Sequence, residues 1–350
     1  MFDAVVVGAG VSGLHAAYRL GQRGASVAVL EARQRIGGRL VSVEQAGVPL
    51  DLGATWVWPG ERRVLGLIEE LGLTTFAHFD AGDGCYDAPE GVQRVPAQAM
   101  GAGPSLRITG GSAALTDGLR HRLDPAVVRT GSVVRRIVDQ GQGKGQSQGL
   151  AVVTDDDTVV ARQVLLALPP ALAVSSIEVD PPLPEDLAQL AANTPVWMGG
   201  IVKTVAVYER AFWRDAGFSG AAFSPRGPLQ EIHDLSGPGG TPGALFGFTA
   251  LRDPSQRAPD RAAVLDQLGR MWGPAAAAPL QLHVQDWSRE ALTSPPGVAL
   301  LTGYERFGHP LLTQPHLGGR LHFCSCEAHP GHGHIEDALA ASERAVTAVT

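Results

Sequence analysis

Only two of the 28 basic side chains in this 350-residue sequence are lysines, Lys144 and Lys203, and Lys203 stands where a charge is hard to keep. It sits inside Gly200-Ile201-Val202-Lys203-Thr204-Val205-Ala206-Val207, an apolar run in which an ammonium is costly to bury without a partner. Unlike arginine, a lysine there can give up its proton, so it is a candidate for chemistry. A second constellation lies at the N-terminus. Gly8-Ala9-Gly10-Val11-Ser12-Gly13 is a G-x-G-x-x-G, and Glu31 follows Gly13 by 18 residues. Each part has its own task. Gly8 makes a tight turn, Gly10 lets backbone approach a pyrophosphate, and Gly13 lets a helix sit close to a sheet. Ser12 lies in the first helical turn, whose N–H groups face phosphate. Glu31 accepts from a ribose hydroxyl, and Arg33 and Arg39 are cations suited to two phosphates.

Other reactive side chains are weighed against plainer roles. His329, His332 and His334 crowd one segment, but they lack a usual zinc spacing and a second ligand pair, so no metal is expected. Cys324 and Cys326, two apart on a predicted strand, read as small buried thiols. Trp56, Trp58, Trp213 and Trp287 are candidates to line a cofactor or substrate cavity, with core packing as the alternative.

The elements that must position these residues are legible. Residues 3–8 form an apolar β-branched run, 11–23 carry apolar residues at helical spacing, and 27–30 return to strand. That βαβ unit implies a parallel sheet. A helix is predicted over 61–72, ending at Gly72, and another over 112–123. Strands are predicted at 126–138, 150–154 and 159–168, with the Gln/Gly-rich stretch 140–149, which contains Lys144, as a loop. Further strands are expected at 199–208, 244–249, 280–284 and 320–324, and a last helix at 335–348.

Residues after the fingerprint make a resemblance specific. Glu31-Ala32-Arg33, then Gly37-Gly38-Arg39, then Asp51-Leu52-Gly53-Ala54-Thr55-Trp56 resemble the flavin-containing amine oxidase family. In the same order come Arg107–Leu119 (RITGGSAALTDGL), Leu165–Pro170 (LLALPP), Lys203 with Phe212-Trp213-Arg214, Asp286–Arg289 (DWSR) and Phe323–Ala338. The resemblance covers most of the chain and implies FAD as cofactor. It places Gly38, Gly53, Ala54, Thr55, Trp56, Val134, Glu327 and Ile335 at the cofactor, and Trp287 beside the reaction. It also implies that Lys203 holds a water against the flavin, and that His334 replaces a tyrosine forming one wall of an aromatic cage. His334 is therefore read as a wall, a base or a pH-sensitive contact, and the replacement leaves the amine substrate open. Ser325 stands where the family usually has glycine. Members that bind flavin covalently use a cysteine after the Trp287 position. This chain has Ala291-Leu292-Thr293-Ser294 there, so FAD is expected to be noncovalent.

The expected fold class is α/β: a doubly wound, Rossmann-like FAD-binding domain from 1–58, 107–170 and 288–350, with a mixed-sheet substrate domain from 59–106 and 171–287. About fifty residues separate Trp56 from Gly110-Gly111, which implies a small substrate cap. Net charge of -7 without a basic stripe argues against nucleic acid, and no apolar run reaches membrane-spanning length. No signal segment is read at Met1 and the cysteines are few, so a cytoplasmic location is expected. The expected reaction is hydride transfer from an amine carbon to flavin N5, with oxygen or another acceptor reoxidising the flavin. The rivals are a desaturase or dehydrogenase of an apolar ring and a non-catalytic redox-sensing flavoprotein.

Overall fold

The computed structural model describes residues 1–350 apart from 97–99, 101–102, 142–148, 254, 299 and 350, so Lys144 and most of the predicted 140–149 loop lie outside the described residues. Strand β1 (Phe2–Val7), helix α1 (Val11–Gln22) and strand β2 (Val27–Glu31) form the anticipated βαβ opening unit, with β1 and β2 parallel. β1 is central: it pairs in parallel with β2 on one side and with Thr158–Leu166 on the other. Its side chains alternate between two cores. Ala4 and Val6 pack with α1 and the closing helix Ile335–Val349, whereas Val5 and Val7 pack under the other face. Burial on both faces explains why the run is continuously apolar rather than alternating.

The same eight-stranded sheet takes in Val128–Thr130 beside β2 and Leu321–Phe323 beside Thr158–Leu166. Beyond Thr158–Leu166 it continues through the antiparallel pair Leu150–Thr154 and Val134–Asp139 to Glu178–Asp180, a strand beyond Pro170. The run predicted as one strand over 126–138 is two, because Gly131 takes a left-handed φ of 71° between them.

A second, seven-stranded sheet runs in the order Gln281–Asp286, Ile201–Tyr208, Gly243–Ala250, Glu231–Asp234, Phe218–Phe223, Asp83–Ala88 and Gly91–Val95. All its neighbours are antiparallel except the pair Phe218–Phe223 and Asp83–Ala88. Lys203 lies on an interior strand, with Phe248 opposite on one side and Gln285 on the other. Trp213 corrects an expectation: it is 1% exposed in the core of this sheet, donates to Asp234 and does not line the main cavity. The cysteine geometry is corrected too. The strand stops at Phe323 and Cys326 opens a 3-10 turn, so Cys324 and Cys326 do not share a strand face, though both are buried as free thiols. No described helix is long and apolar enough to cross a membrane.

Candidate active site

A cavity of about 550 Å³ runs between the C-terminal ends of the first sheet's parallel strands and one face of the second. Its floor is the β1–α1 turn. Gly8 has φ 103°, and an added Cβ would stand 2.8 Å from the carbonyl oxygen of Ala167, while one on Gly13 would meet the Gly8 carbonyl oxygen at 2.0 Å. These two positions exclude any side chain, for the turn and for the helix approach respectively. Gly13 is therefore structural and does not line the cavity; Gly8, Gly10 and Ser12 do. Nothing lies within 4 Å of a Cβ built on Gly10, the N-cap of α1, and no side chain caps that helix. First-turn N–H groups therefore face open space and suit a diphosphate.

Glu31 lines the cavity with its carboxylate held from below. Ala9 N–H donates to Oε2 at 2.7 Å and Arg33 N–H to Oε1 at 2.9 Å, which fixes the carboxylate where a ribose would arrive. Arg33 and Arg39 also line the space, but each is tied to protein. Arg33 donates to Glu290, Thr293 and the Leu292 carbonyl. Arg39 meets Glu327 at 2.7 Å and 3.3 Å. Glu327 is fully buried behind Arg39 and does not line the cavity. Burial alone would raise its carboxyl, but the Arg39 guanidinium outweighs this and holds it below the usual range. Gly38, Val134 and Ile335 also line the cavity. So does Ser325, whose buried hydroxyl bonds nothing among the described residues and is placed to meet an incoming polar group. An open N-terminal turn, a held carboxylate and this orphaned hydroxyl together fit a dinucleotide such as FAD.

The far half of the cavity is aromatic. Gly53, Ala54, Thr55 and Trp56 line it, and Trp287 is pinned there by donating to the Leu52 carbonyl at 3.2 Å. Lys203 reaches in from the second sheet. Its Nζ donates to Thr55 Oγ1 at 2.5 Å and to the Gly53 carbonyl at 3.0 Å, and lies 4.2 Å from the Phe246 ring centre. An ammonium has three donors, so one remains for the cavity. Burial lowers its pKa to about 7, against the opposing pull of Asp51 and with a further push from Arg107.

His334 stacks on Trp58 with ring centres 4.5 Å apart, and its Nδ1 lies 3.0 Å from Glu61 Oε1. Trp197 stands at 62° to the same imidazole, 5.8 Å away. His334 thus lines the cavity between two indole rings and the Glu61 carboxylate. Among the described residues there is no group of three or more His, Cys, Asp or Glu arranged to hold a metal.

Comparison with known proteins bears on this arrangement directly. The model of the flavin containing amine oxidoreductases matches residues 11–99 and 90–350, nearly the whole chain. The chain belongs to that family. Putrescine oxidase of Kocuria rosea is 27% identical, with 96% of this chain and 92% of that protein covered. Flavin-containing amine oxidase A of Bos taurus is 25% identical over all of this chain and 85% of its own length. A solved structure of putrescine oxidase bound to putrescine superposes with a TM-score of 0.82 at 25% identity, covering 99% of this chain and 98% of that one. The alignment of this flavin amine oxidoreductase with the Kocuria protein spans 451 positions against the chain's 350 residues, so it opens gaps along this sequence.

Several cavity residues of this family member escape the sequence reading. Trp197, Gln230, Glu231 and Phe248 all line the cavity, and Glu61 anchors His334. The alternation Glu231-Ile232-His233 was the available signal for a strand presenting Glu231 and His233 on one face.

Proposed function

We propose that this flavin enzyme oxidises a small amine that carries a second positive charge, using noncovalent FAD and oxygen. The observation that carries the reading is Glu231. It and Glu31 are the only carboxylates among the described lining residues, and Glu31 belongs to the nucleotide half. Lys203 pairs with Phe248, and Phe248 pairs with Glu231 on the next strand. Residues directly opposite in a sheet share a face, so the three form a row, with Lys203 and Glu231 about 10 Å apart at two strand spacings. His233 Nε2 holds Glu231 Oε1 at 2.7 Å, leaving the other carboxylate oxygen for a ligand. An apolar ring substrate would gain nothing from a carboxylate there, which disfavours a ring dehydrogenase. A short diamine, one end near Lys203 and the other at Glu231, fits the row. The related putrescine oxidase carries a diamine in its name, which supports the same reading.

FAD, when bound, supplies the two-electron oxidant for a carbon next to nitrogen. Trp56, Trp58, Trp197 and Phe248 exclude water and offer ring faces to a cationic amine. Lys203 sits between charged and neutral forms near neutrality and holds a water or a proton at Nζ. The amine loses a hydride and a proton to become an imine, water hydrolyses the imine to an aldehyde and ammonia, and oxygen leaves as hydrogen peroxide. The residues expected to contact the reacting groups are Lys203, His334 and Trp287.

The test is an anaerobic screen of monoamines, diamines, polyamines and amino acids for loss of flavin absorbance, followed by peroxide assays. Diamines should reduce the flavin, and Glu231→Gln should raise their KM at least about tenfold while leaving a monoamine of equal length unchanged. Failure of every amine to reduce the flavin would sink the reading.

A further inference from the structure

A second cavity, of about 210 Å³, lies behind the substrate cavity and shares none of its lining residues. It is lined by residues 76–81 and 236–239 together with Arg107 and Arg214. Trp56 on the substrate side and His78 on this side join the two pockets: Trp56 Nε1 donates to His78 Nδ1 at 3.3 Å.

The two guanidinium groups differ in what balances them. Arg214 is spent: it makes two hydrogen bonds to Asp234, at 2.9 and 3.0 Å, and that carboxylate also accepts from Trp213 Nε1 and Ser236 N–H. Arg107 is 3% exposed and, among the described residues, donates only to the Ser236 carbonyl, at 2.6 Å. Its Nε is buried with no partner, and no carboxylate lies within 4 Å of it among the described residues. Asp51 and Asp234 favour its charge from farther off, and Lys203 and Arg214 add to the local positive field. A guanidinium cannot shed its proton to escape such a site, so the fold holds a desolvated cation beside a cavity.

We propose that this cavity is a binding site for a short-chain monocarboxylate, with Arg107 as its principal anchor. The planar fork of Arg107 matches a carboxylate. Phe76, with Arg107 stacked 5.0 Å from its ring centre, and Phe79, with Arg214 at 3.8 Å, supply an apolar surface for a short alkyl body. Asp80, exposed on the rim, opposes a second negative charge, which favours a monoanion over a phosphate dianion.

The experiment uses the holoenzyme, so that FAD fills the other cationic region. Propionate, phosphate and chloride are titrated calorimetrically at constant ionic strength. Propionate should bind saturably and at least tenfold more tightly than phosphate or chloride, and Arg107→Met should weaken it at least tenfold. Ala81→Trp, which leaves Arg107 in place and fills the cavity from its exposed rim, should also abolish binding and guards against misfolding of the first variant. No saturable propionate binding to the wild-type protein, equal binding of all three anions, or undiminished binding in both variants would each overturn the proposal.

Discussion

Replacing Lys203 with methionine should change how stability depends on pH, by an amount the structure sets. The amine is buried to 1% exposure and its pKa falls from 10.5 to about 7. A lysine with a depressed folded pKa binds fewer protons folded than unfolded between those two values. Stability therefore rises with pH across that window, and the penalty is fully present below about 7. From 10.5 to about 7, at ~1.36 kcal/mol per pH unit, the whole penalty is about 5 kcal/mol, of which about 2 kcal/mol is relieved between pH 7 and pH 9. Methionine keeps the length of the chain and removes the titration. It also leaves the Gly53 carbonyl and Thr55 hydroxyl without their donor, a pH-independent offset of about 1–3 kcal/mol for each group. The assay is urea denaturation of both proteins at several pH values from 6 to 9, with saturating FAD. All other groups titrate alike in both, so the unfolding free energy of the variant minus that of the wild type should fall by about 2 kcal/mol from pH 7 to pH 9. Parallel pH profiles would refute the claim that Lys203 is a desolvated, half-neutral amine.

The same variant should bind FAD normally but turn over, or reoxidise with oxygen in stopped flow, at least about tenfold more slowly, which corresponds to roughly 1.4 kcal/mol in the barrier; wild-type rates would leave Lys203 structural. Denaturation should release intact FAD, and flavin remaining with the precipitated protein would exclude noncovalent binding. Glu31→Ala should weaken FAD binding by about 1–3 kcal/mol, because the variant loses the ribose acceptor that Ala9 and Arg33 hold in place; an unchanged dissociation constant would remove Glu31 from the site. His334→Phe keeps a ring against Trp58 but loses the Glu61 contact, so KM for amines should rise with FAD affinity unchanged; unaltered kinetics would reduce His334 to loop packing.

The residues that act through their immediate neighbours are legible without coordinates. The G-x-G-x-x-G needs only its flanking strand and helix, and the close contacts of Gly8 and Gly13 are the ones the spacing demands. Lys203 was conspicuous because a strand-period apolar run around a charge is a local anomaly. What tertiary structure decided is pairing across sequence distance. Arg39 meets Glu327 across 288 positions and Glu61 meets His334 across 273, so neither pair leaves a periodic trace. Among the tryptophans, composition could not separate Trp213, which fills a core, from Trp58, which walls the cavity, because burial and exposure to a cavity favour the same side chain. Glu231 shows the limit most plainly. Its own strand makes it an alternating polar residue, and only the register through Phe248 to Lys203 sets it on the cavity face. Strand register depends on which segments pack together, and that is a property of the folded chain.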